Sequence, residues 1–488
     1  VILKGLLENV NIVKTAADTD MSIHGVCYDS RKIQAGDVFV AVKGFDFDGH
    51  KYIGDAVEKG AACVICEQPP EAATPYIVVA DSRKALAVVC ANWFGNPAKR
   101  LKIVGVTGTN GKTTVTTLLK NVLEICTGSK VGLIGTSGNF IGEKEFPASF
   151  TTPEAYEIQE LLSLMVSEGC EFVVMEVSSH ALYLDRVYGM EFEVGAFTNL
   201  SQDHLDFHGT MEAYADAKAI LFAYCNKSAI NIDDDYANTM IKNAKDSVFT
   251  YSVNNDEADL VAKDVRLNSN KAAFCALTIG QLVRVEVQIP GMFTVYNALA
   301  VLSATLLLGL DIKVVADALS VCQGVKGRAE VVPIGKDFTV LIDYAHTPDA
   351  LEKIISAVRG SAKGRVVTLF GCGGDRDSTK RPIMGRVAAE NSDFVIVTSD
   401  NPRTEDPGGI IKGILTGMEK TKTPHHVIEN RREAIHWALE NAKPDDVLIL
   451  AGKGHETYQV LGKEKVHFDE REVVTEFFDK RNNGSECR

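Results

Sequence analysis

The sequence has no excess of basic residues: Lys and Arg number 51 against 65 Asp and Glu, a formal charge of −14 over 488 residues. A nucleic-acid surface needs a basic stripe, so no nucleic-acid partner is expected. Anionic small substrates remain compatible, because a pocket can be locally positive inside a negative protein. A long apolar run is also missing. The longest, residues 298–310, is shorter than the roughly 20 residues a membrane helix needs, so no membrane partner is expected. Residues 1–10 already carry Lys4 and Glu8 with no cleavage site after them, which argues against a signal peptide. The eleven cysteines are scattered, and the one close pair, Cys63 and Cys66, sits in an apolar strand-like run without a second pair at zinc spacing. Buried thiols are expected there rather than a metal, and a reducing cytoplasm fits all of these absences. Internal repeats and low-complexity segments are lacking too.

What is present is length and alternation. A chain of 488 residues is too long for one hydrophobic core, and about three domains are expected. Gly95-Asn96-Pro97 punctuates the chain before a new strand–loop–helix pattern, and a second break falls at 324–330. Short β-rich runs alternate with amphipathic helical ones, as in an α/β protein with largely parallel sheets. The expected domains are 1–97, 98–328 and 329–488.

Residues 102–106 read as a buried strand, followed by Gly108-Thr109-Asn110-Gly111-Lys112-Thr113-Thr114. Val115, Leu118, Leu119, Val122 and Leu123 then fall on one face of a helix that Gly128 can end. Glycines let the loop's N–H groups turn toward phosphate oxygens, and the helix N-terminus adds positive potential. Lys112 is expected against the β/γ-phosphates of ATP and the Thr113 hydroxyl on Mg²⁺. Val106 stands where the first glycine of the general phosphate-loop pattern would be. The plain alternative is a glycine turn with a solvated lysine.

Residues 172–177 form another apolar run, broken by Glu176 near its end, and a third run at 193–199 leads into Ser201-Gln202-Asp203-His204. A carboxylate is costly to bury unless a metal or partner holds it. Ligands of open α/β sheets gather beyond the carboxyl ends of the strands, so Glu176 and His204 are expected near Lys112. For His204 alone, a bond to backbone at a helix start is an equal alternative. Lys218 lies in the alanine-rich helical run 211–224, and by composition it reads as solvated.

Ten stretches in order resemble the Mur ligase family over nearly the whole chain. They are Asp29-Ser30-Arg31, Gly44…Asp48-Gly49-His50, residues 108–114, Thr151-Thr152-Pro153, Glu176-Val177-Ser178-Ser179-His180, Asn199-Leu200…Asp203-His204-Leu205-Asp206, Asp343-Tyr344-Ala345-His346, residues 371–376, 400–403 and 452–456. The resemblance implies a three-domain α/β architecture, with a central phosphate-loop domain bearing a parallel sheet and a Rossmann-like C-terminal domain. It implies a monomeric, ATP- and Mg²⁺-dependent ligase that joins meso-diaminopimelate to UDP-N-acetylmuramoyl-L-Ala-D-Glu in peptidoglycan synthesis, with the domains closing on nucleotide. Lys218 would be carbamylated, and with Thr113, Glu176 and His204 it would hold Mg²⁺; hard Mg²⁺ prefers such oxygen ligands. The family's nucleotide contacts fall on Asn297 and Arg328, with Thr294 and Lys326 departing from the pattern around them. Its uridine contacts fall on Ser30 and Tyr28, flanked by Phe45-Asp46-Phe47. Its muramoyl-dipeptide contacts fall on Thr151, Thr152, Ser178 and Arg186, although the two threonines could equally cap a helix before Pro153.

Amino-acid choice rests on Asp400-Asn401-Pro402-Arg403, Arg376, and Gly452 to Glu456, which follow three strands of one domain and could converge. Diaminopimelate carries a distal carboxylate that lysine lacks, and arginine offers it a planar fork, while Asp400 and Glu456 can accept from ammonium groups. A plain turn with a solvated arginine is the alternative. The rival functions are a lysine-adding Mur ligase, a folylpolyglutamate-synthase-like ligase, and a non-enzymatic ATP-binding switch. Tyr28 to Arg31 speaks against the folate version, and charge-rich strand-end loops have no use in a switch.

Overall fold

A computed structural model describes all residues except 45–47, 149, 269, 323, 361 and 484–488, and omits the side chains of Asp206 and residues 480–483. The chain divides into two compact units, Val1–Leu260 with Ala300–Ile312, and Val261–Leu299 with Lys313–Arg488. Among the described residues no helix is long and apolar enough to cross a membrane.

The first unit opens with a five-stranded sheet. Strands β1 (Ile12–Ala16), β2 (Gly25–Cys27), β3 (Asp37–Val40), β4 (Cys63–Cys66) and β5 (Tyr76–Val79) lie in the order β1-β5-β4-β3-β2, parallel except for β1. Cys63 and Cys66 are buried in β4, where burial pushes the Cys63 thiol up to about 12. They pack as small apolar residues, and no disulfide joins any of the described cysteines.

A second sheet of the same unit carries the sequence's phosphate loop. Its central strand β6 (Lys102–Thr107) is followed by helix α1 (Lys112–Thr127). Val115, Leu118, Leu119, Val122 and Leu123 are all fully buried on one face of α1, and Gly128 ends it at φ 67°. Strands β7 (Val131–Gly135), β8 (Gly138–Ile141), β9 (Lys144–Phe146), β10 (Phe172–Glu176), β11 (Phe192–Phe197), β12 (Cys225–Asn231) and β13 (Ser247–Ser252) complete the unit's run, in the order β13-β12-β11-β6-β10-β7-β8-β9. The pairs β6–β10 and β6–β11 are parallel, with Glu176 opposite Val106 and Phe197 opposite Thr107. Three strands therefore end level with one another, beneath the phosphate loop. Helix α2 (Ala155–Ser167) follows Pro153, but its N-cap is Glu154 and no side chain caps it, so Thr151 and Thr152 do not have the capping role.

The second unit holds a six-stranded sheet in the order 330–332, 339–343, 447–451, 366–370, 394–397, 425–427, parallel after the first strand. Behind its strand ends lies a wholly buried ion pair. Arg431 reaches Glu470 at 2.8 Å and also donates to Ser399 O at 3.4 Å and Ala451 O at 2.8 Å. Removing one member strands a buried charge, which costs about 3–5 kcal/mol. Replacing Arg431 with Met is expected to destabilise this unit by that amount in urea titration; a change below about 1 kcal/mol would show that the pair does not hold the loops.

Candidate active site

Gly108 and Gly111 have φ of 145° and 88°, a range that L side chains rarely adopt. A Cβ at Gly108 would also overlap the Thr198 hydroxyl, so the strand end and the loop touch through bare backbone. Asn199 fixes the loop: its carbonyl accepts from Thr109 N at 2.8 Å, its Oδ1 from Asn110 N at 3.0 Å, and its Nδ2 donates to Asn110 O at 3.1 Å. Lys112 Nζ lies 2.9 Å from Gly108 O and 2.9 Å from Thr109 O, curled over the loop that the helix N-terminus makes positive. Thr114 follows on the first turn of α1.

Lys218 is not solvated. Its helix α3 (Met211–Ala223) packs it 1 % exposed, with Nζ donating to the same Gly108 carbonyl at 2.9 Å and standing 4.5 Å above the Tyr214 ring. Burial drives its amine well below the ordinary lysine range, and the neighbouring Lys112 charge adds to the shift. Tyr214 is itself buried, its hydroxyl 3.2 Å from Thr109 Oγ1 and its own pKa pushed up to about 12, chiefly by burial.

Glu176, 1 % exposed at the end of β10, accepts from Thr113 Oγ1 at 3.1 Å, Thr136 Oγ1 at 3.1 Å and Thr136 N at 2.9 Å. No cation pairs with it among the described residues. A buried carboxylate with hydroxyl neighbours and no countercharge suits a hard divalent cation. The described residues gather no cluster of three His, Cys, Asp or Glu side chains, so any metal would need the Thr113 hydroxyl and a modified Lys218 beside Glu176. His204 stands at φ 52°, half exposed, with its ring 6.2 Å from that of Tyr214 and 4.8 Å from that of His180. It therefore lies on the Tyr214 side of the loop, and it does not cap a helix through its side chain.

The four residues expected on the dipeptide form one connected patch. Thr152 Oγ1 donates to Glu176 O at 2.8 Å and accepts from Ser178 N at 3.0 Å. Thr151 Oγ1 lies within hydrogen-bond distance of Thr136 Oγ1, at 3.0 Å. Arg186 donates to Thr152 O at 2.8 Å and pairs with Glu154 at 2.7 Å. Tyr28 and Ser30 line a cavity of about 430 Å³ with Arg31, Gly44, Arg83 and Glu154, and the Tyr28 hydroxyl is tied to Glu157 at 2.7 Å. Residues 45–47, expected beside it, lie outside the described residues.

In the second unit, Asn297 is buried on helix Met292–Leu307, and Arg328 lies over the Tyr344 ring at 5.1 Å. Asp400, Asn401 and Pro402 are buried, and Arg403 takes φ 53° with its N–H bonded to Val460 O. Its guanidinium donates to Gly374 O at 2.7 Å and has no ion pair among the described residues. Gly373 sits against it, with Arg376 exposed on the same loop. A Cβ at Gly452 would lie 3.1 Å from Asp400 Oδ2, so these strand-end loops do converge. One difference from expectation matters. Asp400 and Glu456 already share a cation, the fully buried Lys453, which composition alone would have put in solvent.

Residues 106–305 match the Mur ligase middle domain, 327–454 the Mur ligase glutamate ligase domain and 22–94 the Mur ligase family catalytic domain. The chain belongs to the Mur ligase family. Among its relatives, UDP-N-acetylmuramoyl-L-alanyl-D-glutamate–2,6-diaminopimelate ligase 1 of Clostridium acetobutylicum is 48% identical, covering 97% of this chain and 98% of that protein. The corresponding ligase of Clostridioides difficile is 44% identical, with 98% and 99% covered. A solved structure of a ligase of the same name superposes with a TM-score of 0.78 at 33% identity, covering 99% of both chains. A folylpolyglutamate synthase from Mycobacterium tuberculosis shares the fold at 16% identity and a TM-score of 0.60, covering 82% of this chain and 95% of its own.

The state of Lys218 gives a direct test. Because Gly108 O keeps Lys112 as donor, replacing Lys218 with Met is expected to cost no more than about 1 kcal/mol of stability while lowering turnover by about 10²-fold. A loss above 3 kcal/mol in urea titration would instead reveal a charged lysine on which the fold relies.

Proposed function

We propose that this Mur ligase uses ATP to join meso-diaminopimelate to the D-glutamate γ-carboxylate of UDP-N-acetylmuramoyl-L-Ala-D-Glu. The observation that carries the choice of amino acid is Arg403, an arginine without an ion pair among the described residues, held by a left-handed backbone three residues after the buried Asp400. Diaminopimelate brings one carboxylate and one ammonium at its distal end, matching a guanidinium next to acceptors, whereas lysine would leave Arg403 without a partner.

The γ-carboxylate attacks the γ-phosphorus of ATP, giving an acyl phosphate and ADP. The amine of diaminopimelate then attacks the acyl carbon, and phosphate leaves from the tetrahedral intermediate. The loop amides at 108–114 and the Lys112 ammonium hold the phosphates and offset charge developing on the transferred group, so catalysis is mostly positioning and electrostatics. Lys218, kept neutral by its surroundings, can add to CO₂ and lose a proton to become an anionic carbamate. Thr113, Glu176 and that carbamate, with His204 on family grounds, would hold Mg²⁺, which supplies positive charge to the phosphates. Asn297 and Arg328 serve the nucleotide. Tyr28 and Ser30 take the uridine side of the donor, while Thr151, Thr152, Ser178 and Arg186 take its peptide side, where Arg186 meets anionic groups. The three regions 1–97, 98–328 and 329–488 thus act as donor, nucleotide and amino-acid domains.

Phosphate release measured with ATP, UDP-muramoyl dipeptide and either meso-diaminopimelate or L-lysine tests this reading. Diaminopimelate is expected to be strongly preferred, and Arg403→Ala to raise its KM by about 10²-fold with the KM for ATP unchanged. Preference for lysine, or equal effects on both KM values, would refute the assignment.

A further inference from the structure

Lys453 is 0 % exposed, yet it lies in a glycine-flanked loop at a strand end. Its ammonium reaches three side chains: Asp400 Oδ1 at 3.4 Å, Asn401 Oδ1 at 3.1 Å and Glu456 Oε2 at 3.0 Å. Asn401 completes the ring by donating its amide to Glu456 Oε2 at 2.9 Å, and its Oδ1 also accepts from Val460 N at 3.0 Å. Two carboxylates and one ammonium leave one negative charge in excess. The charges behind them cancel, since Arg431 and Glu470 form their own buried pair. Asp400 Oδ2 and Glu456 Oε1 accept no further hydrogen bond among the described residues.

We propose that Lys453 is a positioning residue for the amino-acid substrate: its buried ammonium locks Asp400, Asn401 and Glu456 in place and cancels one carboxylate, so the pocket presents two aimed oxygens with a single surplus negative charge to one incoming ammonium group. This rests on the reading of the 400–403 and 452–456 loops as the amino-acid site. Without Lys453 two carboxylates face each other in a poorly solvated pocket, which separates them or disfavours their ionisation together. With it, the site is electrically matched to a zwitterionic amino-acid end, whose carboxylate falls to Arg403. Lys453 touches the acceptors and not the reacting atoms, so its effect belongs to binding of one substrate.

The test is a double-mutant cycle on the full chain, reading KM for diaminopimelate, ATP and the UDP-linked donor. Lys453→Met is expected to raise the KM for diaminopimelate at least tenfold and to move the other two by less than twofold. Glu456→Gln alone should also raise the KM for diaminopimelate, because it leaves the pocket neutral. In that background the sign reverses: Lys453→Met restores the surplus negative charge and should lower the KM for diaminopimelate at least threefold. A purely structural lysine would lower kcat or the folded fraction in both backgrounds and give no reversal, and that result overturns the proposal. If Lys453→Met alone does not fold, the double variant against Glu456→Gln still decides, since it leaves one carboxylate without a countercharge where Lys453→Met alone leaves two. Should Glu456→Gln leave the KM for diaminopimelate unchanged, the assignment of the pocket itself fails and the proposal falls with it. If Glu456→Gln acts as expected and only the reversal is absent, the pocket stands and the role of Lys453 does not.

Discussion

Two lysine side chains compete for one carbonyl, and much of the candidate site follows from that crowding. Lys112 and Lys218 each stand 2.9 Å from Gly108 O, so their nitrogens are at most about 6 Å apart. Two full charges at that separation repel by roughly 3 kcal/mol at an effective dielectric constant near 20. Burial of Lys218 acts in the same direction and more strongly. Lys112 stands at a helix start, so of the two it is the ammonium form of the buried Lys218 that its surroundings disfavour. The bare backbone of Gly108 makes this possible, because only a glycine lets the loop lie against Thr198.

The two functional regions handle charge in opposite ways. Around the glycine loop the protein collects positive potential, adds one carboxylate, Glu176, with no cation partner among the described residues, and disfavours the charged form of the second lysine by burial. That arrangement suits a polyanion that arrives with divalent metal. In the second unit Arg431 is paired with Glu470 and Lys453 with Asp400 and Glu456, whereas Arg403 has no ion pair among the described residues. In the proposed function such a pre-paired frame favours discrimination between amino acids, because little is reorganised on binding.

The local features of this chain were legible from its sequence. The loop from Gly108 to Thr114 and the apolar stripe of the following helix depend on neighbours a few residues away, and they appear where the spacing put them. Glu176 at a strand end could be placed by the rule that parallel strands gather ligands at their carboxyl ends. The lysines were not legible. The acceptor of Lys218 lies 110 residues earlier, and the buried partners of Lys453 lie on another strand-end loop 52 and 53 residues away. Composition treats such residues as solvated because it contains no term for partners that only the fold supplies. Thr152 shows the same limit: local pattern offers it as a helix cap, while its hydroxyl is spent on the carbonyl of Glu176 in the neighbouring strand. For the family-level reading, the order of motifs along the chain carried what single residues could not.

A neutral amine at position 218 is the claim on which the phosphate-site chemistry turns. Carbon-13 NMR of the protein equilibrated with ¹³C-labelled bicarbonate, Mg²⁺ and a non-hydrolysable ATP analogue reads that state directly. The account predicts one protected carbamate resonance in the wild-type protein that disappears in Lys218→Met. A spectrum without it, or one unchanged by the substitution, would contradict the account.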